Sequence, residues 1–145
     1  SIIENAGIGT SAIEIEVTES ISADEERAID VLKQLQDKGF KTVLDDFGTG
    51  YSSLSYLQRL PITGLKVDRA FVKSLGEDKS TDTVFKSVID IASAYALSVV
   101  VEGVETEKQR LTALELGAVI GQGYFWHKPL EIRESEKLLR DTTGV

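Results

Sequence analysis

The sequence predicts an α/β protein built on a parallel sheet of about five strands, each followed by a helix. Three observations predict it. Short apolar or alternating runs recur between longer segments of helical periodicity. Glycines and prolines punctuate the joins. Polar residues gather at the ends of the apolar runs, where parallel α/β folds carry their ligands.

The elements follow in order. Residues 12–18 (AIEIEVT) alternate apolar and acidic side chains, a strand pattern. Ser22-Ala23-Asp24-Glu25 reads as a capping box. It opens a helix with Ala28, Val31, Leu32 and Leu35 on one face, and Gly39 ends it. Residues 41–45 (KTVLD) form a second strand, and residues 46–50 a glycine-rich loop. Ser52 or Ser53 caps a short helix that Pro61 closes. Residues 64–68 (GLKVD) form a third strand. A long helix spans residues 81–96, striped by Val84, Val88, Ile91 and Ala92. Residues 98–102 (SVVVE) are apolar at nearly every position, as in a strand buried on both faces. Thr106 and Gln109 pair as another capping box, and that helix ends at Gly117. Residues 119–124 make a fifth strand and residues 131–140 a closing helix. Helical crossovers between strands imply parallel pairing and right-handed connections. No linker or low-complexity tract divides the chain.

Composition narrows the function. The chain has 145 residues, 41% hydrophobic and 28% charged, as expected for one globular domain. A net charge of −8 argues against a nucleic-acid polymer as partner, because that backbone demands a basic face. A small anion remains open, since a bound metal reverses the local sign. There is no cysteine, which excludes disulfides and thiolate metal sites. No apolar run approaches the ~20 residues of a membrane helix, and no signal peptide is visible. The expected location is cytoplasmic, any membrane anchor of the parent lying upstream. The absence of methionine makes Ser1 an unexpected translation start, so the chain reads as a piece of something longer.

The strand ends carry the chemistry: Glu16 and Glu19, then Asp45 and Asp46, then Lys66 and Asp68, then Glu102 and Glu105, then Gln122. In a parallel sheet these surround one mouth. Several carboxylates in a partly buried mouth repel one another and need compensation. Divalent cations supply it, and oxygen ligands suit Mg²⁺ or Mn²⁺. Side chains on a regular strand alternate, so Asp45 and Asp46 cannot both point inward from one. Asp46 is expected where the strand gives way to the loop, placed for a second metal. Metal pairs about 3.5–4 Å apart are a recurrent device for phosphodiester cleavage. Glu14 lies deeper on the face of Glu16 and reads as a structural, hydrogen-bonded acid. His127, the only histidine, reads as a loop residue, and Phe125 and Trp126 as packing residues.

These residues carry a family resemblance. Glu16-Val17-Thr18-Glu19-Ser20 is similar to an ExTES motif, and Asp45 through Leu54 to the DDFGTGYSSL signature. Leu65-Lys66-Val67-Asp68 resembles a KID segment, Glu102-Gly103-Val104-Glu105 an EGVE motif, and Gln122-Gly123-Tyr124 with Lys128-Pro129-Leu130 a QGY…KPL pattern. The chain thus resembles the C-terminal part of the EAL domain family, with five motifs in order between Ala12 and Leu130.

The resemblance implies a TIM-type (β/α)8 barrel, here an incomplete barrel of about five parallel strands. It also implies a metal-dependent phosphodiesterase that opens cyclic di-GMP to linear pGpG with Mg²⁺ or Mn²⁺, two ions in number. Carried over, Glu16 and Asp45 are metal ligands and Asp46 binds the second metal. Lys66 polarises or deprotonates the attacking water. Glu102 binds the metal or its water, and Gln122 orients water. Glu19 and Glu105 hold the loop from Asp46 to Ser53. The family's Glu-Ala-Leu and Asn-x-Ser segments are absent and belong upstream, so the chain alone is expected to lack part of the ligand set. Val101, where alanine is usual, and Trp126-His127 are smaller departures.

Two other readings compete. An incomplete EAL domain can serve as a non-catalytic module that binds cyclic di-GMP or a protein partner. A doubly wound receiver domain also combines an acidic pair with a lysine, but there the pair ends the first strand, not the second. Unpaired strand edges in a partial barrel favour association, so a homodimer or strand exchange is expected.

Overall fold

The computed structural model describes residues 5–18, 25–48 and 54–143. After a 3-10 turn at Thr10–Ala12, the chain forms β1 (Glu14–Thr18), α1 (Glu25–Asp37), β2 (Lys41–Phe47), α2 (Leu54–Arg59) and β3 (Gly64–Val67). It continues with α3 (Arg69–Val72), α4 (Lys79–Ala94), β4 (Ser98–Val101), α5 (Glu107–Glu115), β5 (Ile120–Gly121) and α6 (Ile132–Thr143). Glu19, the proposed cap at residues 22–24 and loop residues 49–53 lie outside the described residues.

The sheet is parallel throughout and its strand order is sequential, β1-β2-β3-β4-β5. Right-handed crossovers between successive neighbours all turn the same way, so the helices cover one face. That is barrel order. A doubly wound receiver sheet reverses its strand order part-way, and this sheet does not.

The two faces divide the residues by parity. Leu44, Leu65, Val67 and Val101 point outward into the core with Ile29 and Leu32 of α1, Leu57 of α2 and Phe85 of α4. Burying one such side chain contributes roughly 1.5–3 kcal/mol. Gln36 Nε2 ties α1 to the sheet by donating to Thr42 Oγ1 at 3.1 Å and to the Pro61 carbonyl at 2.9 Å. The inner face carries Glu14, Glu16, Lys66, Val100 and Ile120, matched across the strands by register.

Several expectations shift. In α1 the buried face is Ile29 and Leu32 while Val31 is exposed; Val31 lies about 200° around the helix from Ile29. In α4 the stripe is Phe85, Val88, Ile89 and Ala92, and Val84 falls on its exposed flank. That helix begins two residues earlier than expected because Asp78 caps it, accepting from the Ser80 and Thr81 amides. The short α3 was not foreseen; Asp68 leaves the strand to cap it, accepting from Ala70 N.

β4 is not buried on both faces. Only Val101 is buried, because Val100 faces the open inner side. β5 shrinks to two residues, with Gly121 and Gly123 weakening the strand pattern. Glu14 is exposed rather than deep, and it makes no hydrogen bond among the described residues. The open inner face keeps its carboxylate hydrated, which avoids the cost of burial.

Candidate metal centre

β2 brings the two aspartates together by a device other than the expected strand end. The strand runs on through Asp46 to Phe47. Its register with β3 shifts between Leu44, opposite Leu65, and Phe47, opposite Val67. Three steps on β2 thus match two on β3, which is a β-bulge. Leu44 and Phe47 both point into the outer core, although three residues apart they would face opposite ways on a regular strand. The extra residue is absorbed at Asp46, whose φ is +55°. For a residue other than glycine that backbone is uncommon, and aspartate is among those that tolerate it. The bulge leaves Asp45 and Asp46 together on the inner side.

Gly48 follows with φ +92°, and a Cβ there would lie 2.6 Å from Phe71 Cζ. The tight turn after the aspartates therefore packs onto the ring of α3 and requires glycine.

Carboxylate oxygens of Asp45, Asp46 and Glu102 lie within 4.8 Å of one another. Glu102 reaches the cluster because its backbone N–H donates to the Val67 carbonyl at 3.0 Å, fixing the chain just beyond β4. Lys66 stands beside the three. Its Nζ is 2.7 Å from Glu16 Oε1, 2.7 Å from Glu102 Oε1 and 3.3 Å from Asp45 Oδ1. Glu16 is outside the close triad and meets it through the lysine. Side-chain exposure grades from 8% at Lys66 through 20% at Asp45 and Glu102 to 49% at Glu16.

Burial alone would lower the Lys66 pKa. The hydrogen bonds that Lys66 donates to Glu102 and Glu16 and the charges of Glu102 and Asp45 together outweigh it, holding the group well above the ordinary lysine range. Lys66 is an ammonium here, a donor and a positive charge. Asp45 Oδ1 is buried and accepts no hydrogen bond, its contact with Lys66 lying outside hydrogen-bond geometry. A buried anionic oxygen without a donor, facing two further carboxylates, is what an oxygen-seeking divalent cation would satisfy. The residues fit such an ion.

Gln122 is held at the mouth by its backbone: its N–H donates to the Val101 carbonyl at 2.8 Å, and its carbonyl accepts from Val104 N at 3.1 Å. Its side chain borders two hollows. One, of about 440 Å³, lies on the inner face with Glu14, Glu16, Lys66 and His127 along its wall. The other, of about 220 Å³, lies on the rim between Arg69, Glu102, Glu105 and Tyr124. Glu105 thus faces the rim hollow. Arg69 escaped the sequence reading, and Tyr124 entered it only as part of the QGY pattern, although Arg69 follows Asp68 at a strand end and that position alone marks it for the mouth. Phe125 packs edge-on against Trp126 at 5.2 Å and adjoins the core, as packing residues do.

The comparisons with known proteins fit this geometry. Residues 1–129 match the EAL domain family. Cyclic di-GMP phosphodiesterase NbdA of Pseudomonas aeruginosa is 38% identical over 139 residues, 95% of this chain and 18% of that protein. The chain spans less than a fifth of the first curated relatives it matches. The EAL domain of Mycobacterium smegmatis DcpA superposes with a TM-score of 0.92 at 39% identity, covering 97% of this chain and 63% of that one. Klebsiella pneumoniae BlrP1, solved as a complex with manganese and cyclic di-GMP, gives 0.80 at 32% identity, covering 85% and 32%. With the family match, the parallel sheet in barrel order and the clustered strand-end acids, the chain belongs to the EAL domain family.

Proposed function

We propose that residues 1–145 are the C-terminal portion of a single EAL domain, and that the intact domain hydrolyses cyclic di-GMP to linear pGpG with Mg²⁺ or Mn²⁺. The observation that carries this reading is the triad of Asp45, Asp46 and Glu102, in which the buried Asp45 Oδ1 accepts no hydrogen bond. These three would hold the cations, with Glu16 as a further ligand from β1. A divalent ion there supplies Lewis-acid chemistry: it neutralises charge on phosphate oxygens and lowers the pKa of water.

The chain's own residues divide the remaining work. Lys66, held as an ammonium, donates hydrogen bonds and positive charge toward the reacting phosphate or water. Its surroundings favour that polarising role over proton removal. Gln122, fixed at the mouth between the two hollows, orients water or a substrate oxygen. Glu105, on the rim, and Glu19 support the loop that follows Asp46. Self-association through the open strand edges completes the proposal.

The test is cyclic di-GMP turnover by the intact domain with Mg²⁺ or Mn²⁺. Asp45→Asn and Asp46→Asn should each lower the rate at least a hundredfold. Full activity in both variants would overturn the metal assignment. Tight binding of cyclic di-GMP without turnover in the unsubstituted protein would make the domain a receptor.

A further inference from the structure

We infer that Lys66 competes with the divalent cation for the same carboxylates and so determines how tightly the metal is held. The inference rests on the metal-site reading above and adds a role that reading does not contain. Three contacts support it. The ammonium hydrogen-bonds Glu16 Oε1 and Glu102 Oε1 at 2.7 Å each and pairs with Asp45 Oδ1 at 3.3 Å. Two of those three residues, Asp45 and Glu102, also belong to the cluster able to hold a metal.

Lys66 is, with Thr42, one of two buried polar residues among those described. Its position is fixed from below: it sits on β3 between Leu65 and Val67, both fully buried on the outer side. The ammonium therefore cannot leave the cluster by a shift of the strand. It can only turn its terminal carbons. A dication beside the triad meets a like charge a few ångströms away in a partly desolvated setting, where screening is weak. It must also draw Glu102 away from the ammonium. Both effects weaken metal binding, and both disappear when the charge is removed.

The balance has a second side. Without Lys66 the carboxylates repel one another, so a neutral variant should be less stable until metal is added. A lysine that merely packed would not couple its loss to the metal in this way.

The experiment is Mn²⁺ binding to the purified protein by calorimetry or electron paramagnetic resonance, with thermal melts in parallel. Lys66→Met and Lys66→Gln should bind Mn²⁺ at least tenfold more tightly than the unsubstituted protein and show a larger metal-induced rise in Tm. Lys86→Met removes the same unit of charge from an exposed pair with Asp90 and should leave the affinity unchanged. Unchanged or weaker Mn²⁺ binding in both Lys66 variants would overturn the inference while leaving the metal site intact. Absence of Mn²⁺ binding in every protein would sink the metal site and this inference together. Should both Lys66 variants fail to fold, Mg²⁺ titration of the unsubstituted protein decides, read at the Lys66 Nζ–H resonance. That signal should shift as Mg²⁺ binds; a resonance unmoved at saturation refutes the competition.

Discussion

Glu102→Gln offers a direct measure of what the charge cluster contributes to the fold. Glutamine keeps the volume and one acceptor oxygen, so the change isolates the charge. A hydrogen bond to a charged group contributes about 1.5–3 kcal/mol, and breaking a fully buried ion pair costs more. Here Lys66 retains Glu16 and Asp45 as partners, and Glu102 is one-fifth exposed. The expected cost is therefore near the lower end, about 1–1.5 kcal/mol, or a few degrees in Tm for a chain of this size. Glu16→Gln touches the same lysine at the same distance, but its side chain is half in solvent, so its cost should stay below about 0.7 kcal/mol. Urea unfolding in the absence of divalent ions measures both. The reasoning fails if Glu16→Gln costs as much as Glu102→Gln, or if neither changes the midpoint.

Other predictions follow from single positions. Gly48→Ala places a Cβ at φ +92° and 2.6 Å from the Phe71 ring; strain and displacement together should cost about 2–4 kcal/mol by urea unfolding and weaken Mn²⁺ uptake by the adjacent aspartates. Phe85→Ala empties a fully buried site in α4 and should cost about 3–5 kcal/mol, whereas Val84→Ala one residue away should cost under about 0.5 kcal/mol. Asp78 accepts from the side chain and amide of Ser80 and from Thr81, which lowers its pKa from 3.8 to about 2. Its contribution to α4 is thus complete above pH 3.8 and disappears as pH falls through about 2. The Ser80 and Thr81 amide resonances should report that titration, and a midpoint near 4 would contradict the cap.

Much of this architecture is legible because each element carries its own signal. The parallel order follows from strands separated by helices. Thr106 and Gln109 form the capping box their spacing announces, and Gly39 and Gly117 adopt positive φ at helix ends. What escapes the letters depends on tertiary neighbours. Val31 and Ile29 are equally apolar, and only the direction in which α1 meets the sheet selects Ile29. Glu14 reads as a structural, hydrogen-bonded acid because it lies deeper than Glu16 on the same strand face, yet its burial depends on what covers the inner face. At the site, the residue types and their strand-end positions are visible in advance. The bulge is not, because nothing in Asp45-Asp46-Phe47 states that three residues will span the distance of two. Nor does the sequence say that Lys66 will bond Glu16 and Glu102 rather than point past them.

The bulge has a consequence for how this segment can vary. Because one surplus residue turns two successive acids to the same side, the arrangement depends on the count of residues between Leu44 and Phe47 as much as on their identity. Deleting one would restore plain alternation: Phe47 would still face the outer core, and a single acid would be left on the inner side. The surplus residue therefore serves the acid cluster rather than the sheet, and its loss should cost the cluster one carboxylate while sparing the packing beneath it.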